Sequence, residues 1–163
     1  MNNCCFDEKQ IVVMKAGFQD VGKWIYYILK AARVANVPWS VLKEGIRKVG
    51  ACDAYTLYPR TNNLKELAEA VADSDMGKAH DVRILFVDED RLELELGCDP
   101  MLEAARTCTD DPVFLRDLAD AYLCVFEGIF DTYGLYCVKK APSAGANDRV
   151  VLVVKRVAGG ENE

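Results

Sequence analysis

Residues 91–131 read RLELELGCDPMLEAARTCTDDPVFLRDLADAYLCVFEGIFD. Leu92, Leu94 and Leu96 alternate with Glu93 and Glu95, the period-two pattern of a strand with one buried and one wet face. The strand runs into Gly97-Cys98-Asp99-Pro100, a corner that opens a short helix over Met101–Cys108. Asp111 then caps a further helix, with Pro112 at its first position. Leu115, Leu118, Tyr122, Val125 and Ile129 recur at spacings of three and four, so this helix is read as running from Pro112 to Tyr133, ended by Gly134.

Upstream, Val82–Val87 is apolar apart from Arg83, and Asp88-Glu89-Asp90 supplies a turn, which makes 81–97 a hairpin. Downstream, Leu135–Lys139 and Arg149–Arg156 form a second hairpin joined by residues 142–148. The predicted fold is α+β: a four-stranded antiparallel sheet of two hairpins, covered on one face by helices, with an N-terminal helical segment. Lys9–Ala35 reads as one long helix or two abutting ones. Met14, Phe18, Val21, Ile25, Ile28, Ala32 and Ala35 share one face, and Gly17 and Gly22 weaken the middle. Trp24, Tyr26, Tyr27 and Leu29 add apolar surface on other faces, so that half is expected to be buried on more than one side, against the core or a partner subunit.

Asn36-Val37-Pro38 punctuates, and Trp39, Leu42, Ile46 and Val49 stripe a second helix that Gly50 can end. Cys52–Arg60 reads as an extended connector. Asn62 or Asn63 caps a third helix, with Glu66 in capping-box position, and this helix fades at Asp73-Ser74-Asp75 and Gly77. No linker divides the chain. Residues 1–163 are read as one domain: 9–80 mainly helical, 81–156 hairpin-helix-hairpin, and 157–163 a disordered tail.

The chain has 163 residues, long enough to bury a core without a metal or disulfide staple. Its net charge of −6 and lack of a Lys/Arg cluster argue against nucleic acid as a partner. No apolar run is long enough to span a bilayer, and no secretory signal is expected, because Asp7 and Glu8 sit where its basic residues should be and the apolar run Ile11–Met14 is too short. The seven cysteines therefore read as free thiols in a reducing cytoplasm. No cysteine pair has C-x-x-C spacing and there is one His, so neither a structural metal nor a cofactor is expected. Phosphate-loop, dinucleotide, serine-hydrolase and zinc-protease motifs are missing.

Cys98 is the first candidate for chemistry. Amide groups at a helix start favour a thiolate, although Asp99 opposes it; the competing reading is a small half-buried side chain at a strand–helix junction. Asp120 and Glu127, seven apart, share one helix face about 10 Å apart and could flank a cleft, or simply form a solvated face. Cys124 falls between them. Tyr122 and Tyr133 lie on the apolar side of that helix, as core or as the lining of a ligand pocket. His80, the only imidazole, precedes a strand as polar surface or as a general base.

From Leu92 to Arg156 the arrangement resembles the L-2-amino-thiazoline-4-carboxylic acid hydrolase family. The resemblance rests on Cys98-Asp99-Pro100, on the run Asp120-Ala121-Tyr122-Leu123-Cys124-Val125-Phe126-Glu127-Gly128, and on Lys139-Lys140 before Gly145. The layout is also similar to 4-vinyl-reductase-type ligand-binding domains. The resemblance implies hydrolysis of a cyclic C–N bond in a small thiazoline-like substrate, assisted by Cys98 as nucleophile or orienting thiol. Asp120 or Glu127 would be the acid/base, with Tyr122 and Cys124 at the substrate. The family's closing cysteine would fall near Arg149 or Val150, neither of which is a thiol, and Gly145 is followed by Ala146. A non-catalytic binding or sensory domain of the same fold is the alternative. A homodimer through the surplus apolar surface around Trp24–Leu29 is a third expectation.

Overall fold

A computed structural model describes residues 7–140 and 149–156. The connection over 142–148 with its Gly145 match, the Cys4-Cys5 pair and the tail 158–163 lie outside the described residues. Helix α1 spans Glu8–Val34 without a break. Asp7 and Gln10 cap its start reciprocally, each side chain paired with the other's backbone N–H. It ends in a left-handed turn at Asn36 (φ 59°), where the Asn36 and Val37 N–H groups return to the Arg33 and Ala32 carbonyls.

The fully buried face of α1 is Gly22, Tyr26 and Leu29; of the predicted face, Phe18 and Ile25 pack half-buried against the core, whereas Val21 and Ile28 are exposed. The reason lies in Gly22. A Cβ there would collide with the Met101 backbone, so the helix turns its glycine inward to pack against α5 (Pro100–Arg106). Of the two glycines expected to weaken α1, Gly22 thus sets its closest approach, while Gly17 faces open space. Trp24 and Tyr27 are exposed rather than buried on a second side.

Helix α2 runs Trp39–Thr56, through most of the stretch predicted as an extended connector. Gly50 does not end it. Gly50 lies where α2 crosses α7 (Cys124–Asp131), and a Cβ on it would strike the Val125 carbonyl. Helix α3, Leu64–Asp73, is capped by Asn63, whose side chain accepts from the Lys65 and Glu66 N–H groups. The box predicted with Glu66 is only half formed, because its carboxylate instead accepts from Thr61 Oγ1. Ser74 caps the short α4, Asp75–Ala79.

The two predicted hairpins join as one antiparallel sheet in the order β1 (Val82–Val87), β2 (Arg91–Leu96), β4 (Val150–Arg156), β3 (Leu135–Lys140). The fold class is therefore α+β, as the alternation of elements implies. Leu92, Leu94 and Leu96 point into the core beside Leu152 and Val154, and Leu94 is in register with Leu152. Strand β1 is an edge, bulged between Ile84 and Phe86, and its apolar residues from Ile84 to Phe86 are exposed.

The long helix predicted over Pro112–Tyr133 is divided at Leu123 into α6 (Pro112–Tyr122) and α7. Leu123 keeps helical dihedrals, but the Phe126 N–H bonds the Leu123 carbonyl, a tighter turn between the two segments. Helix α6 packs on α1, and α7 crosses α2. Gly134, at φ 67°, turns the chain into β3.

Candidate functional site

Strand parity turns Leu135, Cys137 and Lys139 of β3 toward the helices. The Lys139 ammonium enters the space between α6, α7 and α2. It donates to Asp120 Oδ1 at 2.6 Å and to the Asp120 carbonyl at 3.2 Å, and it pairs with Glu127 Oε1 at 2.7 Å. The Cys124 sulfur lies 3.8 Å away. Three of the predicted site residues, Asp120, Cys124 and Glu127, therefore converge on one cation that sequence reasoning did not assign to the site.

The close crossing of α2 and α7 brings two further cations. A Cβ on Gly128 would strike the Arg47 carbonyl, so the helix axes approach closely enough for Arg47 to pair with Glu127 and Lys43 with Asp120. Arg47 also bonds Glu44 at 3.0 Å. Burial pushes the Asp120 and Glu127 carboxyls up, but hydrogen bonds from Lys139, with Lys43 on Asp120 and Arg47 on Glu127, outweigh it and hold both below their ordinary range. Burial disfavours the Lys139 charge, yet the two carboxylates hold its pKa above the usual value. Burial raises the Cys124 thiol, and it raises Cys137 to about 12, so both sulfurs stay protonated at neutral pH.

Beside this cluster a groove of about 560 Å³ opens between α2, α7 and β3. Glu44, Arg47, Glu127, Asp131, Tyr136 and Cys137 line it. Among the described residues no group of three or more His, Cys, Asp or Glu is placed to hold a metal ion. No helix of the described residues is long and apolar enough to cross a membrane.

Cys98 belongs to a different neighbourhood. Lys139 shares a row with Leu152 and Leu94 across the sheet, two strand spacings or about 10 Å, and Cys98 lies four residues beyond Leu94. The thiol and the Lys139 cluster are thus separated by roughly 15 Å. Cys98 Sγ donates to the Ala79 carbonyl at 3.3 Å, and its backbone N–H bonds the His80 carbonyl at 3.2 Å. Burial raises its pKa more than nearby Lys15 lowers it, so the helix start does not make it a thiolate. Asp99 is the cap of α5, accepting from the Leu102 N–H.

His80 is buried, not surface. Its ring stands edge-on between Phe18 and Phe126, and Nδ1 lies 2.9 Å from the Met76 carbonyl. Burial lowers its pKa against the opposing pull of Asp99. Tyr122 lies in the core, its hydroxyl donating to the Gly22 carbonyl at 3.1 Å, a clamp between α6 and α1. Tyr133 likewise donates to the Pro59 carbonyl at 2.9 Å.

Lys139, Arg47 and Lys43 were missed as site residues. Only the face each occupies had a local signal, not its partner: Lys139 has the parity of Leu135 and Cys137, and Lys43 and Arg47 are four apart beside the Leu42–Ile46 stripe. No protein-family model, curated protein or solved structure matches the chain.

Proposed function

We propose that this chain is a small-molecule-binding domain whose ligand sits in the groove between α2, α7 and β3. The ligand class is a compact zwitterion like a 2-amino-thiazoline-4-carboxylate. The observation that carries this reading is the pairing of Arg47 with Glu127 at the groove, with Asp131 and Glu44 beside them. A cyclic amidinium finds carboxylate acceptors there. A ligand carboxylate would displace Glu44 from the planar fork of Arg47, whose geometry suits bidentate recognition. Tyr136 offers an aromatic face to a flat ring. The missing closing cysteine and the protonated, distant Cys98 both favour binding over thiol-assisted turnover.

Hydrolysis of the ring is the second reading, favoured by one observation: Asp120, Cys124 and Glu127 converge on Lys139. In that reading an ionised Glu127 accepts a proton from the water that adds to the ring carbon and returns it to the ring nitrogen as the carbon–nitrogen bond breaks, Lys139 keeps Glu127 in place, and Cys98 has no reacting role.

Calorimetric titration with 2-amino-thiazoline-4-carboxylate, run beside an assay for the ring-opened product, separates these readings. Binding without product supports the first; product formation that survives Cys98→Ala supports the second. Arg47→Met is expected to weaken binding at least tenfold. No heat up to millimolar ligand would remove both.

A further inference from the structure

The outward face of α1 is apolar along most of its length. Val13, Val21, Trp24, Tyr27, Ile28 and Val34 are exposed; Trp24 retains 74% of its surface in solvent, Tyr27 61% and Ile28 60%. Helical spacing places them, with Gly17 and Ala31 among them, on the side opposite Gly22, Tyr26 and Leu29. The opposite side is pinned: Gly22 packs on the Met101 backbone, Tyr122 bonds the Gly22 carbonyl, and the Tyr26 hydroxyl bonds the Cys108 carbonyl at 3.2 Å. The exposed stripe is therefore the outer ridge of an anchored helix.

We propose that this ridge is a homodimer interface in which α1 packs antiparallel against α1 of a second copy, about a two-fold axis near Trp24. Three observations select a second copy. The first is area. The six exposed side chains offer on the order of 600 Å² per copy, so a pair would bury about 1,200 Å², the lower end of what stable specific interfaces require.

The second is charge. The chain carries a net −6, so two copies repel unless they meet on an uncharged face. Between Val13 and Val34 the ridge holds one ionised group, Asp20, already bonded to Lys23 of its own helix at 3.1 Å. The third is self-complementarity of shape. A two-fold axis at Trp24 sets Gly17 against Ala31 of the second copy and Val21 against Tyr27. Small residues thus face small ones seven positions from the axis, with open space over Gly17. The apolar patch on β1, from Ile84 to Phe86, is smaller, and its bulge discourages edge pairing.

Sedimentation velocity of the full chain between about 1 and 200 µM tests this. The expected result is a monomer–dimer equilibrium with a midpoint in the micromolar range for the wild type. Trp24→Glu and Ile28→Lys should each be monomeric throughout, with circular dichroism unchanged and, at concentrations well below the dimer midpoint, unfolding midpoints unchanged, because both side chains are exposed. A wild type that stays monomeric at 200 µM overturns the proposal. So does a dimer that persists in folded Trp24→Glu, and so does one that dissociates in Phe86→Lys while surviving both α1 substitutions. Neither ridge variant touches the α2–α7–β3 groove, so ligand titration of the monomeric variants reads the binding proposal separately.

Discussion

Gly50 of α2 and Gly128 of α7 sit on facing helix surfaces, each pressed against the backbone of the other helix: Gly50 on the Val125 carbonyl, Gly128 on the Arg47 carbonyl. This crossing carries Arg47 and Lys43 to Glu127 and Asp120. A methyl at either position has no space, because what it meets is backbone and not the end of a flexible side chain. Gly50→Ala and Gly128→Ala are each expected to destabilise by about 1–3 kcal/mol. Gly45, on the same helix, faces open space, so Gly45→Ala should stabilise by up to ~1 kcal/mol. Urea unfolding of the three variants reads the contrast directly.

Lys139→Met removes the cation that Asp120 and Glu127 share. Arg47 and Lys43 remain, and the cluster is partly exposed, so the expected loss at pH 7 is about 1–3 kcal/mol. The folded-state pKa of both carboxylates is depressed. Their contribution is therefore present above the ordinary carboxylate value of about 4 and is lost as pH falls through the depressed values. Wild-type stability should drop in that acid window, and the drop should shrink in Lys139→Met. Denaturant midpoints between pH 2 and 7 measure it.

His80 makes the opposite end of the sheet sensitive in a higher window. Its folded pKa lies below the ordinary value of about 6.5, so the unfolded chain takes up a proton first on acidification. Stability contributed by the neutral ring is present above that value and declines as pH falls below it, by at most about 1.4 kcal/mol per pH unit. Asp99, raised by burial, contributes the opposite slope above about pH 4, and Lys15 and Glu103 lie close by. His80→Phe, which keeps an aromatic ring between Phe18 and Phe126, should remove the decline that sets in as pH falls below about 6.5 in denaturant unfolding.

Tyr122→Phe deletes the hydroxyl that clamps Gly22 and leaves the Gly22 carbonyl with only its helical bond within α1. A loss of about 1–2 kcal/mol in unfolding free energy is expected, with ligand affinity unchanged within twofold. A large change in affinity with intact stability would return Tyr122 to the ligand pocket.

The hairpins were legible because Leu92, Leu94 and Leu96 alternate with glutamates and because Asp88-Glu89-Asp90 marks its own turn. The caps at Asp111 and Asn63 were legible for the same reason: their signals lie within one turn. Gly22, Gly50 and Gly128 were not, because a glycine that ends a helix and a glycine that admits another backbone look alike until the second helix is placed. The site was half legible. Asp120, Cys124 and Glu127 share a helix face in the sequence, but Lys139 and Arg47 reach them across residue separations of 19 and 80 that no local pattern spans. Cys98 drew attention as a thiol at a helix start. The Ala79 carbonyl that occupies it belongs to a different helix.

The most direct test follows backbone amide resonances of the uniformly ¹⁵N-labelled protein while 2-amino-thiazoline-4-carboxylate is added. Saturable shifts centred on Arg47, Glu127 and Tyr136, retained in Cys98→Ala and lost in Arg47→Met, are the predicted result. Shifts centred on Cys98 and Asp99 and abolished by Cys98→Ala would contradict the account.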